Sequence, residues 1–302
     1  MSIQLFEFFI AGVVRVSGED ALPYLQSQLT INLNKIPVYG TRLGLRLNLK
    51  GKVLFGAQVI RCGEEEYLLI SRDTPSSEVI QLLEENIVAD EVEFSELPNQ
   101  WKLSSLFHPS QMDELLAVGG LTEFQTHKAR QLENGWAFLN PCLPGKSISL
   151  LHPADLSNPW SNDIVLADST DLEKLRLQEN IFRPALEIGD TEFPQEGGLE
   201  EQSVDFDKGC YLGQEVMARI HAMGKVRKKA VAVRGAGLSE LSCPLPILDH
   251  AKRVGTLKTQ FLISSENQWI GTAVVHENAL PALNQDGLHI EGNQERVKIL
   301  HR

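Results

Sequence analysis

Lys208-Gly209-Cys210-Tyr211-Leu212-Gly213-Gln214-Glu215, running on through Val216-Met217-Ala218-Arg219-Ile220-His221, sits where a loop gives way to a helical pattern. Within its first eight residues it gathers a cation, a thiol, two glycines, an aromatic ring, an amide and a carboxylate. Such a mixture is poor core material. A thiol beside a lysine and near a helix N-terminus has two reasons for a lowered pKa, since the ammonium and the free helix N–H groups both favour thiolate. Cys210 is therefore the candidate nucleophile or sulfur carrier, with Lys208 expected to stabilise its thiolate. A lone cysteine is otherwise a small buried hydrophobe, and here the neighbours argue against that reading. Gly209 and Gly213 are expected to permit close backbone approach, while Tyr211, Gln214, Glu215 and Arg219 complete the motif.

The rest of the chain bounds what this stretch can serve. With 302 residues, 42% hydrophobic and 23% charged, the protein is ordinary for a globular chain and too long for one small core. Cys62, Cys142, Cys210 and Cys243 are widely spaced and form no CxxC pair, so neither a disulfide framework nor a zinc site is expected. A reducing, cytoplasmic setting fits them. No apolar run approaches the ~20 residues of a membrane span. A net charge of −12 argues against direct nucleic-acid binding. Lys225 to Arg234 is locally basic, with Lys225, Arg227, Lys228, Lys229 and Arg234 and no acidic residue. It reads as a solvated strand edge; a small polyanion would also suit it.

Along the chain, Phe6 to Val16 reads as one strand, and Leu22, Leu25 and Leu29 follow at helical spacing with Pro23 in the first turn. Thr41 to Arg61 reads as two strands around Lys50-Gly51, with another at Tyr67 to Ile70 and a helix opening at Ser76. Val92 to Phe94 and Trp101 to Phe107 are expected strands; Gln111 to Ala117 and Glu123 to Leu132 are expected helices. Pro-rich 141–163 yields no assignment. Asp171 to Asn180 is a helix, and 183–204 a long irregular loop whose place before the motif points to function. Beyond Gly224, short strands alternate with turn residues in the cadence of a small β-barrel.

Other chemistries find little support. Gly145-Lys146-Ser147 has Asn140 where a phosphate-binding P-loop needs glycine, and there is no GxGxxG or HExxH. His221 near the motif is either an acid–base group or a helix C-cap. No metal site is expected.

The run KGCYLGQE with the following ARIHAMGKVRK resembles the signature of the YgfZ-type folate-binding family, relatives of the glycine-cleavage T-protein (aminomethyltransferase). Further landmarks are Val16-Ser17-Gly18-Glu19-Asp20-Ala21 with Leu25-Gln26, then Asn48, Lys50-Gly51-Lys52-Val53 and Pro194-Gln195-Glu196. This resemblance implies an α+β fold: a T-protein-like folate-binding body of two intertwined α/β subdomains (1–225) and a C-terminal β-barrel (226–302). It implies tetrahydrofolate or a derivative as cofactor, iron–sulfur client or assembly proteins as partners, and a role in iron–sulfur protein assembly or repair, linked in some relatives to tRNA thiomodification. Gln178, Gln195 and Glu196 become the expected folate contacts. Two features depart from the T-protein pattern. Its folate-engaging aspartate falls at Phe55 or Gly56, and its helix glutamate at Gln178 in Leu175-Arg176-Leu177-Gln178, with Glu179 one step round the helix. A true aminomethyltransferase and a non-catalytic, folate-gated interaction module are the alternatives.

Overall fold

The apolar stretch Phe6 to Val16 is two strands, not one. The computed structural model describes residues 3–108, 111–118, 120–121, 125, 127–143, 145–158, 160, 164, 166–293 and 296–300. In it β1 (Gln4–Ile10) and β2 (Gly12–Ser17) are separated at Ala11, whose N–H donates to the Arg72 carbonyl at 3.3 Å. There follow α1 (Ala21–Gln28), β3 (Thr41–Leu47), β4 (Val53–Arg61), β5 (Glu66–Ser71), α2 (Ser76–Glu84), β6 (Glu93–Glu96) and β7 (Trp101–His108). Next come α3 (Met112–Val118), β8 (Ala129–Leu132), β9 (Gly135–Leu139), β10 (Lys146–Pro153) and α4 (Ser169–Gln178). A 3-10 turn (Pro194–Gly197), α5 (Glu200–Ser203) and α6 (Gln214–Met223) lead to β11 (Lys228–Ala236), β12 (Leu245–Asp249), β13 (Lys252–Ile263) and β14 (Gln268–His276). The described chain ends with α7 (Leu280–Gln285), β15 (Leu288–Ile290) and β16 (Arg296–Ile299).

The strands form two five-stranded sheets, ordered β1-β7-β10-β9-β8 and β3-β4-β5-β2-β6, and a closed barrel ordered β11-β14-β13-β12-β15-β16. Because β1 and β2 join different sheets, the chain passes between the sheets within its first twenty residues. Val13, Ile60, Leu68 and Ile70 of one sheet pack with Leu103, Phe138 and Leu151 of the other. The opposite face of the second sheet buries Phe55, Val59 and Leu69 against Leu25 of α1 and Val79 and Leu83 of α2. This is the expected α+β architecture with its C-terminal barrel.

One further expectation needs correcting, and the unassigned region gains an element. Ala129–Leu132 is strand β8, paired with β9 through a turn at Glu133-Asn134, and the expected helix's residues 123, 124 and 126 lie outside the described residues. The Pro-rich region contains a full strand, β10, paired on both sides. β11 pairs with β14 along its whole length but with β16 only at Val233 and Arg234, so the barrel closes there while Lys228 and Lys229 have a strand partner on one side only among the described residues.

Body and barrel are clasped by a buried ionic network. Arg176 of α4 is fully buried and pairs two-pronged with the equally buried Glu187, both N···O distances being 2.8 Å. Glu187 also accepts from the Arg183 N–H and from the hydroxyls of Thr259 and Thr272 on β13 and β14. Arg176 donates to Glu173 at 2.5 Å, and Glu173 in turn accepts from Arg72 at 2.8 Å. Arg183 grips Asp73 with two bonds. The Arg176 charge and these donors hold the Glu187 carboxyl below the ordinary carboxylate range, against the opposing and largest effect of its burial. Removing one partner of such a pair strands the other without solvent. Glu187→Ala is expected to lose roughly 3 to 5 kcal/mol in urea denaturation. A loss under ~1 kcal/mol would show that the network is dispensable.

Candidate functional site

The motif is held by backbone carbonyls. Lys208 is buried, and its ammonium donates to the carbonyls of Gln26 (2.5 Å), Leu29 (2.6 Å) and Ile31 (2.7 Å), where α1 ends. All three ammonium hydrogens are thereby used, so the lysine ties the motif to the end of α1 and has no hydrogen left to donate to a Cys210 thiolate. The Leu212 N–H donates to the Ser27 carbonyl at 3.1 Å, extending the same seam. Burial pushes the Lys208 ammonium down to about 8, with Asp205 opposing the shift.

Gly213 is the N-cap of α6 with φ +82°, and a Cβ there would lie 2.6 Å from the Asn48 carbonyl oxygen. Close approach is thus real at Gly213, where the motif sits on the β3–β4 turn. Gly209 faces open space, with no atom within 4 Å of an added Cβ. Tyr211 is buried, its ring centroid 5.1 Å from the Lys208 ammonium, and burial pushes its hydroxyl up to about 12. Gln214 opens α6, its N–H donating to the Tyr211 carbonyl. Glu215 and Arg219 pair with each other at 3.1 Å on the exposed face of α6. Such a pair contributes little. His221 stacks on Phe206 at 3.9 Å between ring centroids.

Cys210 lies three residues before the α6 N-cap and is the only exposed cysteine of the four. Burial pushes Cys62 up to about 12 and Cys142 and Cys243 up to about 11, which keeps those three as thiols at neutral pH. The preference for Cys210 therefore comes chiefly from exposure.

A cleft lies between the two sheets. Its outer part, about 630 Å³, is bordered by Thr41, Arg42, Gln58, His127, Asn140 and Lys146 among others. It narrows to an inner recess of about 50 Å³ walled by Phe8, Ile10, Leu43, Ile70, Leu103 and Phe138. Gln58 Oε1 and Arg72 Nη1, on residues lining the recess, are buried without a hydrogen-bond partner. Gly56 also lines the recess, and a Cβ on it would come 2.5 Å from Pro184, whereas Phe55 turns into the core. Neither position carries the T-protein's acid.

The expected folate contacts scatter. Gln178 ends α4, while Glu179 after it borders a side recess of about 200 Å³. Glu196 caps the 3-10 turn, accepting from the Phe193 N–H at 2.9 Å, and burial raises its pKa. Gln195 has both amide atoms buried and unpartnered. None of these three lines the inner recess. Sequence reasoning missed Gln58 and Arg72; the alternation of β4, with Gly56 and Gln58 on one face, was the available signal. Among the described residues no three His, Cys, Asp or Glu side chains converge as a metal site, and no helix is long and apolar enough to cross a membrane.

No family model matches the chain. A tRNA-modifying protein YgfZ from Hamiltonella defensa is 24% identical over 96% of this chain and 88% of its own length. An iron–sulfur cluster assembly factor IBA57 homolog from Yarrowia lipolytica is 25% identical over 72% of this chain, which spans about half (52%) of that protein. Among solved structures, the glycine cleavage system aminomethyltransferase T from Bartonella henselae matches with a TM-score of 0.77 over 99% of this chain and 85% of that one, at 14% identity. That likeness shows the fold.

Two outcomes test the site. Lys208→Met leaves three carbonyls without their donor, and a loss of about 2 kcal/mol or more in urea is expected. Because the folded-state value, about 8, lies below the ordinary 10.5, the unfolded chain binds more protons between them. This lysine therefore makes stability rise with pH across that window, and the advantage of wild type over Lys208→Met should grow from pH 8 to 10; a shrinking advantage would refute the assignment. In alkylation of the folded protein, Cys210 should react first. Modification of Cys62, Cys142 or Cys243 at a comparable rate would contradict the burial argument.

Proposed function

Because the chain belongs to the YgfZ-type family, relatives of the glycine-cleavage T-protein, we propose that it binds a reduced folate in the cleft between its two sheets. We assign it the role of a folate-dependent factor in the assembly or repair of iron–sulfur proteins, with tRNA thiomodification as one process served. The observation that carries the folate reading is the cleft: apolar walls at its narrow end, two unpartnered buried polar atoms there, and a wide polar mouth bearing Arg42, His127 and Lys146. The edge of a flat ring suits the first, and the body of the ring with a carboxylate-bearing tail the second. Tetrahydrofolate or a derivative is the cofactor this supports, and an iron–sulfur client or assembly protein the partner. The same reading divides the chain into a folate-binding body up to residue 225 and a barrel from 226.

The aminomethyltransferase alternative loses support at Gly56, where Pro184 fills the space a carboxylate would need. One observation favours the interaction module: Cys210 is exposed and outside the lining of the cleft, with its motif displayed beside the β3–β4 turn. Calorimetric titration with tetrahydrofolate should give saturable binding, and a flat titration at high micromolar ligand would reject the folate reading. Cys210→Ser is expected to bind folate as wild type does while failing to rescue a strain deficient in iron–sulfur enzyme activity. Full rescue by that variant would transfer the role of the motif from thiol chemistry to docking.

A further inference from the structure

The hydrogen-bond network of β3 and β4 fixes which end of the Gln58 amide is left without a partner beside the cleft. Thr41, buried, has one hydroxyl hydrogen and donates it to the Val59 carbonyl at 2.9 Å. The hydroxyl can then only accept from Gln58, so the amide nitrogen, 2.6 Å away, faces Thr41. The carbonyl oxygen is left buried and unpartnered. Gln58 is itself more than nine-tenths buried and borders both the outer cleft and the inner recess. Asn140, the other polar residue common to both, spends its amide on the Ser149 hydroxyl and the Cys142 N–H.

A buried acceptor without a partner has given up its water with nothing in return, and a ligand that supplies a donor recovers that cost. The recess also holds a donor in the same condition: Arg72 uses Nη2 on Glu173 at 2.8 Å and leaves Nη1 unpaired, its guanidinium centre 4.2 Å from the Phe8 ring centroid. An apolar slot with one fixed acceptor and one fixed donor fits the edge of a flat heterocycle carrying both an amine and a carbonyl.

We propose that Gln58 is the specificity-determining residue of the cleft, accepting a hydrogen bond from the exocyclic amine of a pterin ring while Arg72 Nη1 donates to the ring carbonyl. This rests on the folate reading above. Gln58 stands two residues beyond Gly56 on the same strand face, so β4 keeps an acceptor at the recess although the position before it has no room for a side chain.

The test is a cycle of two ligands and two proteins, read by calorimetry. The ligands are tetrahydrofolate and its 2-desamino-2-methyl analogue; the proteins are wild type and Gln58→Met, which conserves volume and removes the acceptor. Wild type should bind tetrahydrofolate roughly tenfold more tightly than the analogue, and Gln58→Met should bind the two equally. A merely structural glutamine would change both affinities together. If Gln58→Met does not fold, Thr41→Val, which frees the amide to rotate, should also lose discrimination. Discrimination retained in the folded variant overturns the assignment of Gln58 while leaving the folate reading intact. Absence of tetrahydrofolate binding by wild type overturns the folate reading, and this inference with it.

Discussion

The Arg176–Glu187 pair is the constraint on which the arrangement of body and barrel depends. Two fully buried charges cost several kcal/mol of desolvation each unless every donor and acceptor is matched. The matching comes from three separate segments: α4 supplies Arg176 and Glu173, the following loop supplies Glu187 and the Arg183 N–H, and the barrel supplies Thr259 and Thr272. No one of these segments satisfies the pair alone. The apolar contact around it, with Leu177, Phe182 and Ile188 beside Ile263, Ile270 and Val274, is non-directional. The ionic network adds the direction that the apolar contact lacks.

That network also sets the cleft. Arg183 and Arg72 line the inner recess while being anchored to Asp73 and Glu173. The loop from 183 to 204, expected to be functional because it is long and irregular, does its work by carrying Glu187, by laying Pro184 over Gly56 and by closing the side recess with Gly197 to Leu199. Apart from the 3-10 turn at Pro194–Gly197 and α5, it takes no regular form, because it serves three neighbours and pairs along a ladder with none of them.

Much of the fold was legible because periodicity is local. The Leu22, Leu25, Leu29 spacing, the Ser76 helix start, the two strands around Lys50-Gly51 and the barrel cadence all come from residues a few positions apart. What was hidden depended on distant partners. Whether Phe6 to Val16 is one strand or two is decided by which sheets its halves join, and nothing in those eleven residues records that. The site divides in the same way. Cys210 stood out from its neighbours, but Lys208 was assigned to the thiol beside it in sequence, whereas its partners lie about 180 residues earlier, on Gln26, Leu29 and Ile31. For Gln58 the alternation of β4 marks only which face it takes, not what it does there. Its meaning comes from Thr41 across the ladder and from the opposite sheet.

One hairpin serves both places of interest. The facing strands β3 and β4 carry Leu43, Gly56 and Gln58 to the cleft, while their connecting turn at Asn48 to Gly51 seats Gly213 and, through contact with Val216, the first turn of α6. The Asn48 side chain accepts from the N–H groups of Lys50 and Lys52, so the turn is closed by its own first residue. A side chain at position 213 would have to displace backbone on that turn instead of a flexible neighbour, and the backbone there continues directly into the strands of the cleft. The glycine of the motif and the glutamine of the recess are therefore requirements of the same β-hairpin, placed on it by the opposite ends of one antiparallel pair.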